Sequence, residues 1–421
     1  MESNTEQGDT IRTITMTECD KRWRSFERTW AVAVLSLVAV SWKLWFGNSD
    51  FPAMPLLRLP TSYLRYDLVA VIVLVAALVC VAVGRRLSGR VFWWVFVGFS
   101  FSFLFNQHRL QPWAYQAAIQ CVVLAALPRY SARRCFIALS ISIYFFSACG
   151  KFDYQFLHTV GQDFVSVLFG PGETEPSRMR FVLAAALPVT ELAVAIGLCF
   201  VKTRRLAGIA AMSMHASLIG LLGPWNLAHS TGVVLWNAWL LAQAWFLFVC
   251  KREPDAITFP STTEVVPKSV IRPSHLFAKA IVFAAVTMPL FERAGYWDHW
   301  LSWSLYSPHT SRVTIQVHKI VLDSLPESAR PFTGEDDDDR AWVALEIDRW
   351  SLSALGVPVY PQARFQLGIA RSISRSISDV TGIRTQVRSA SDRWTGSRLE
   401  VWLLGKKEIE TYADTYLFLG E

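Results

Sequence analysis

Leu68-Val-Ala-Val-Ile-Val-Leu-Val-Ala-Ala-Leu-Val-Cys-Val-Ala-Val83 is an uncharged apolar run that follows Asp67 and stops at Gly84, Arg85 and Arg86. A run of this kind approaches the ~20 residues that a helix needs to cross a bilayer. The pattern recurs along the chain. Segments at about 29 to 46, 67 to 84, 91 to 106, 113 to 128, 135 to 150, 180 to 201, 206 to 223, 231 to 250 and 275 to 292 read as nine spans. Composition agrees, because a chain of 421 residues with 52% hydrophobic residues, 18% charged residues and 18 tryptophans is too apolar for a soluble globular protein. The expected class is an all-α polytopic membrane helix bundle of about nine spans with a small C-terminal α+β domain.

The basic residues test the span count independently, since cytoplasmic loops hold the excess of Lys and Arg. With the N-terminus inside, the inner segments and span ends carry 18 basic residues, among them Arg85, Arg86, Arg129, Arg133, Arg134, Arg204 and Arg205. The outer ones carry 8, including Arg109, Lys151 and Arg293. The formal charge of +7 therefore lies in clusters that orient helices, and no nucleic-acid partner is expected. The expected location is the inner (plasma) membrane, multi-pass, with a cytoplasmic N-terminus and membrane lipid as the surrounding partner.

At the N-terminus, residues 1 to 20 have the composition of a disordered cytoplasmic tail. Lys21, Arg22, Arg24 and Arg28 precede an apolar run, but no small-residue cleavage site follows, so the segment is expected to stay attached. The seven cysteines include no Cys-x-x-Cys pair and fall largely in or beside apolar runs, which fits neither a disulfide framework nor a zinc site.

Residues 21 to 296 hold the bundle, and the odd count sends residues 297 to 421 to the outer face. There Val313, Ile315 and Val317 alternate with polar neighbours, as do Val343, Leu345 and Ile347, the period of half-buried strands. Asp336 to Asp339 reads as a solvated acidic turn. Pro361 opens a helix through Ile373, and Thr395-Gly396-Ser397 joins strands near 384 to 393 and 398 to 404. This domain has no nucleophile motif, no glycine-rich phosphate loop and no metal-ligand spacing.

Tyr144-Phe-Phe-Ser-Ala-Cys-Gly-Lys151-Phe-Asp-Tyr154 is the most informative stretch for function. A lysine flanked by Phe145, Phe146 and Phe152 at a membrane edge either snorkels its amine to water or holds it in a pocket. The residues after it, Phe152, Phe156, Leu157, Val160, Phe164, Val167 and Leu168, follow a spacing of three and four. That describes an amphipathic helix too polar to span, lying along the outer surface and able to roof a pocket.

Ionisable groups inside spans are costly, so each needs a reason. His108 ends the third span, Lys151 the fifth, Glu191 is near the middle of the sixth and His215 near the middle of the seventh. The turn Gly223-Pro224-Trp225-Asn226 and His229 close the seventh hairpin on the same side. The bland readings are a Lys151–Asp153 pair, a hairpin cap at His108-Arg109, a packing hydrogen bond between Glu191 and His215, and one polar contact from Asn237. Against them stands the convergence of a base, an acid and two imidazoles on one side of one bundle, which makes Lys151, His108, Glu191 and His215 the candidate catalytic residues.

The order of these motifs resembles the HTTM family, the transmembrane domain of vitamin K-dependent gamma-carboxylases and their bacterial relatives. The likeness rests on Asn106-Gln-His108 followed by Tyr115, on the Tyr144 to Asp153 stretch, on Thr190-Glu191-Leu192, and on His215 before an outer turn, and it covers roughly residues 20 to 295. A weaker likeness is to the DoxX and MauE membrane proteins of quinone and thiol redox chemistry. The resemblance implies a quinone or vitamin K-like cofactor and gives Lys151 the role of the base that deprotonates a reduced quinone. The chain has Gly150-Lys151 where the family has two lysines, and its outer domain is far smaller than the carboxylases'. Two functions are thus expected in competition: a bundle that binds a lipophilic, quinone-like molecule, with oxidoreductase or carboxylase-like chemistry, and a non-catalytic anchor or assembly factor that presents its outer domain to a partner.

Overall fold

The computed structural model describes residues 3–47, 50–57, 64–84, 89–170, 177–250, 272–334, 341–416 and 419. The chain is mostly helical, at 68%. The first helix, α1 (Ser3–Val40), takes in most of the segment read as a disordered tail, since no proline interrupts it from Ser3 onward. It ends at Ser41, whose hydroxyl donates to the Leu37 carbonyl at 2.6 Å, and a short α2 (Trp42–Phe46) follows. The bundle continues with α3 (Leu64–Val83), α4 (Arg90–Phe105), a 3₁₀ turn at Gln107–Arg109, α5 (Pro112–Ala126) and α6 (Arg129–Lys151). Two short helices, α7 (Tyr154–His158) and α8 (Val160–Phe169), precede α9 (Arg178–Cys199), α10 (Arg204–Leu222), α11 (Thr231–Ala244) and α12 (Pro273–Thr287). Proline opens α5 and α12, where its fixed φ suits the first turn and its missing N–H is not needed.

Among the described residues, 6 helices are long and apolar enough to cross a membrane: α3, α6, α9, α10, α11 extended by a π turn to Val249, and α12 extended to Phe291. The nine expected spans all fall on helix, but three miss this standard. The one at 29 to 46 breaks at Ser41, and α4 and α5 have 16 and 15 residues. The outward residues of the long helices are large and apolar, such as Val69, Ile72 and Val79 on α3, Val182, Val189 and Ile196 on α9 and Phe283 on α12. Apolar surface turned outward on several helices is consistent with a multi-pass membrane protein. The short α5 is the opposite case, buried along nearly its whole length, so it serves as the core on which the others pack.

Its polar residues do not stay unpaired there. Trp236 Nε1 donates to Gln116 Oε1 at 2.7 Å, Trp30 Nε1 to Gln120 Oε1 at 2.8 Å, Gln120 Nε2 to Gln243 Oε1 at 2.7 Å, and Gln243 Nε2 to Ser140 Oγ at 3.0 Å. This network joins α1, α5, α6 and α11, and a fully bonded buried network fixes register in a way that interchangeable apolar contacts do not.

In the C-terminal part β1 (Arg312–His318), β2 (Trp342–Leu345), β3 (Ile383–Arg388) and β4 (Glu400–Leu404) form an antiparallel sheet in the order β2-β1-β3-β4. The alternation of Val313, Ile315 and Val317 is inward, as the sequence indicates. Ile347 is not in a strand: it opens α13 (Ile347–Leu355), because it also heads the helical spacing Ile347, Trp350, Leu355 that is buried. The helix expected after Pro361 is α14 (Ala363–Ser376), and α15 (Gly405–Ala413) adds a further helix with no counterpart in the sequence reading. The acidic turn at 336 to 339 lies outside the described residues.

One buried core runs through the bundle and the sheet part together. Phe51 packs on Trp350 with ring centroids 4.6 Å apart, Trp303 on Tyr115 at 5.1 Å, and the Tyr154 amide donates to the Arg393 carbonyl at 2.8 Å. Gly150 permits a close approach: a Cβ there would lie 2.7 Å from Ser307 Oγ, so the segment at 304–307 can rest directly on α6.

Candidate functional site

Tyr144, Ser147 and Lys151 are spaced by three and four residues, so α6 presents them on one face. That face borders a cavity of about 310 Å³. The start of α5 and residues of α8, α9, α10 and α11 form its walls, and Trp300, Leu305, Tyr306, Val357 and Pro358 of the C-terminal part complete them. The lining is mainly apolar, from residues such as Ile143, Phe156, Phe164, Leu187, Leu218 and Trp236. The expected amphipathic helix supplies Phe156 and Phe164, but as α7 and α8, with the chain kinked at Thr159.

Two polar chains interrupt this lining. In the first, Lys151 Nζ donates to Glu191 Oε2 at 2.6 Å and to Ser147 Oγ at 2.6 Å. The lysine is 6% exposed and does not snorkel. Glu191 reaches it from α9, in the turn after Pro188, where the helix lacks one backbone donor.

In the second chain, the Tyr144 hydroxyl lies 2.9 Å from His215 Nε2, and His215 Nδ1 lies 2.9 Å from Asn237 Oδ1. Asn237 Nδ2 donates to the Val233 carbonyl at 2.9 Å, which fixes the amide orientation and leaves Oδ1 as a pure acceptor. His215 therefore carries its proton on Nδ1 and offers the Nε2 lone pair to the Tyr144 O–H. The tyrosine oxygen keeps its own lone pairs for whatever occupies the cavity.

Three of the four residues singled out from sequence, Lys151, Glu191 and His215, thus line one cavity. The fourth does not. His108 is fully buried between Phe51 and Phe365, its Nε2 donating to the Pro358 carbonyl at 2.9 Å. Burial pulls its pKa down to about 4 against the opposing effect of that hydrogen bond, so the ring is neutral at pH 7. Beside it Arg109 makes a bidentate pair with Asp67 and donates to the Leu44 carbonyl at 3.0 Å and the Trp45 carbonyl at 3.2 Å. His108-Arg109 is the hairpin cap of the bland reading. It meets the cavity wall through Pro358 and through Gln111, whose Nε2 donates to the His108 carbonyl at 2.9 Å, and does not itself line the cavity.

Two expected pairings are replaced. Lys151 does not pair with Asp153, which caps α7 through the Gln155 amide and accepts from Arg293 Nη2 at 2.8 Å. Glu191 and His215 do not bond each other, since each is taken by a residue of α6. Tyr144, Ser147 and Asn237 are the functional side chains that the sequence reading left out of the site. The first two could have been found by stepping back along α6 from Lys151, whereas nothing periodic announces Trp300 or Tyr306. A separate group, Glu292, His299 and His309, is the set among the described residues able to hold a metal ion, although no ligand spacing marks it in the sequence.

No family model matches the chain, and no curated protein or solved structure does either.

Proposed function

We propose that the chain is a multi-pass membrane protein that binds a lipophilic molecule with a quinone-like or phenolic head in the cavity beside Lys151. The supporting observation is the pairing of an apolar lining with two polar chains that end on it, the arrangement of small-molecule sites in general. On this reading the N-terminus is cytoplasmic, the C-terminal part lies on the outer face of the inner membrane, and the chain is a relative of the HTTM family, a proposal that rests on the order of motifs in the sequence.

The residues can do one definite piece of chemistry. A hydroxyl on the bound head would give its proton to the Tyr144 oxygen as Tyr144 passes its own proton to His215 Nε2. The imidazolium so formed is held by Asn237 at Nδ1, and the Lys151 ammonium faces the oxyanion left on the ligand. The cluster would thereby stabilise the deprotonated form of a quinol or phenol, the form that carboxylase-like or oxidoreductase chemistry requires. Extraction of the purified protein with organic solvent and mass spectrometry should recover an isoprenoid or quinone in near-stoichiometric amount, and Lys151→Met should lose most of it. An empty wild-type protein in mild detergent, or equal recovery from the variant, would overturn the assignment.

The anchor reading keeps one observation in its favour. β4 is an edge strand whose Val401, Trp402 and Leu404 side chains are exposed, as is Leu399 just before it, and an apolar edge is a template for pairing with another chain. Lys151 and Glu191 would then serve only to pin α6 to α9. Partner capture that depends on β4 and survives Lys151→Met would favour this reading.

A further inference from the structure

Between α12 and β1 the chain brings three ligating side chains together outside the cavity. Glu292 Oε1 lies 2.9 Å from His299 Nδ1 and 2.8 Å from His309 Nε2, and the three ligating atoms fall within 4.8 Å of one another. The two imidazoles stand at 74° with ring centroids 4.8 Å apart, and they are 3% and 1% exposed. We propose that Glu292, His299 and His309 form a site for a divalent transition-metal ion of the zinc class, which clips shut the 292–309 segment that roofs the cavity.

The donor set selects the ion. Two imidazoles and one carboxylate suit zinc and its neighbours, whereas magnesium and calcium take oxygen ligands. The geometry is close to what such an ion needs, because ligands at ~2.0–2.1 Å from a tetrahedral centre sit a little over 3 Å apart. The carboxylate oxygen would move away from each nitrogen by about half an ångström, and the two nitrogens, which lie within 4.8 Å of each other, would close toward the same spacing by rotation of the imidazoles. Neutral imidazoles reach the ligating form by a tautomer shift, with the proton moving to His299 Nε2 and to His309 Nδ1, and no electron transfer is involved. His309 Nδ1 has no hydrogen-bond partner, so the shift breaks nothing there. Of the neighbouring cations, Arg293 directs its guanidinium to Asp153 and Arg393 donates to the Cys149 carbonyl.

The position gives the ion a purpose. The segment between the ligands carries Trp300, Leu305 and Tyr306 into the cavity wall, and Trp303 and Tyr306 hold left-handed backbone at φ 58° and 57°. Non-glycine residues avoid that region unless the surrounding structure holds them in it. A fastening between residues 292, 299 and 309 would do so.

The test uses the full chain in detergent, stripped with a chelator and titrated with cobalt(II). One equivalent should produce the visible absorption of a tetrahedral nitrogen and oxygen site, zinc should displace it, and zinc but not magnesium should raise the melting temperature. His309→Ala and Glu292→Gln should abolish both signals. A folded wild-type chain with neither the cobalt spectrum nor the zinc shift would overturn the proposal, and so would a signal that survives His299→Ala. Recovery of a lipophile from the cavity is a separate readout, so the two proposals can fail independently.

Discussion

The His108-Arg109 turn and the Lys151 cluster are both buried groups of ionisable residues, yet they differ in what surrounds them. In the turn, Arg109 spends its donors on Asp67, Leu44 and Trp45 and His108 is gripped by two phenylalanines, so no room is left. In the cluster, the same economy of bonding stops at a cavity of about 310 Å³. Burial of a charge is thus shared by a structural staple and a candidate site. Free volume with a lone pair facing it belongs to the second alone.

The largest effect is expected in the turn. Arg109→Ala removes the partner of the half-buried Asp67 and also strips the Leu44 and Trp45 carbonyls of their donor, losses that together cost about 3–5 kcal/mol. The variant should fail to accumulate as folded protein, measured by size-exclusion profile in detergent, and a well-behaved variant would show that the turn is no staple. The next largest is a pH effect. A histidine whose pKa is held down contributes its full stabilisation above the ordinary value of 6.5 and loses it as pH falls toward about 4. For His108 that interval corresponds to up to about 3 kcal/mol. The melting temperature should therefore drop over this window, and His108→Gln, which keeps a donor for Pro358, should flatten that part of the profile.

In the cluster the effects on stability are smaller and those on binding larger. Lys151→Met alone strands Glu191 beside the cavity and should cost about 1–3 kcal/mol, the range for an unsatisfied buried polar group. Adding Glu191→Gln should recover most of that loss without restoring ligand affinity, a non-additivity that a thermal-melt cycle reads directly. Tyr144→Phe should cost about 1 kcal/mol, the worth of one hydrogen bond. If the single and double variants in the cluster melt alike and bind alike, the contrast with the turn disappears.

The elements were legible where a period reported them. The apolar runs gave the helices, and the alternation at Val313, Ile315 and Val317 gave β1. Lys151 stood out because an amine at the end of an apolar helix has few neutral explanations. Its partner did not, since Asp153 is two residues away in sequence, whereas the turn at Phe152 sends that carboxylate to Arg293 and leaves the lysine to Glu191, forty positions along the chain. Ile347 misled because it belongs at once to a two-residue period and to the helical spacing of α13. The roof of the cavity and the Glu292–His299–His309 group were illegible for another reason. They lie on irregular backbone, with left-handed Trp303 and Tyr306, where side-chain direction follows from tertiary contacts and no repeat encodes it.

The central claim is that the cavity beside Lys151 is a ligand site and not a packing flaw, and Trp113, Trp236 and Trp300 on its wall provide the reporter. Titration of the detergent-purified chain with a short-chain naphthoquinone, followed by tryptophan fluorescence, should show saturable quenching that weakens tenfold or more in the Lys151→Met, Glu191→Gln double variant. Quenching that never saturates, or that is the same in the double variant as in the wild type, would contradict it.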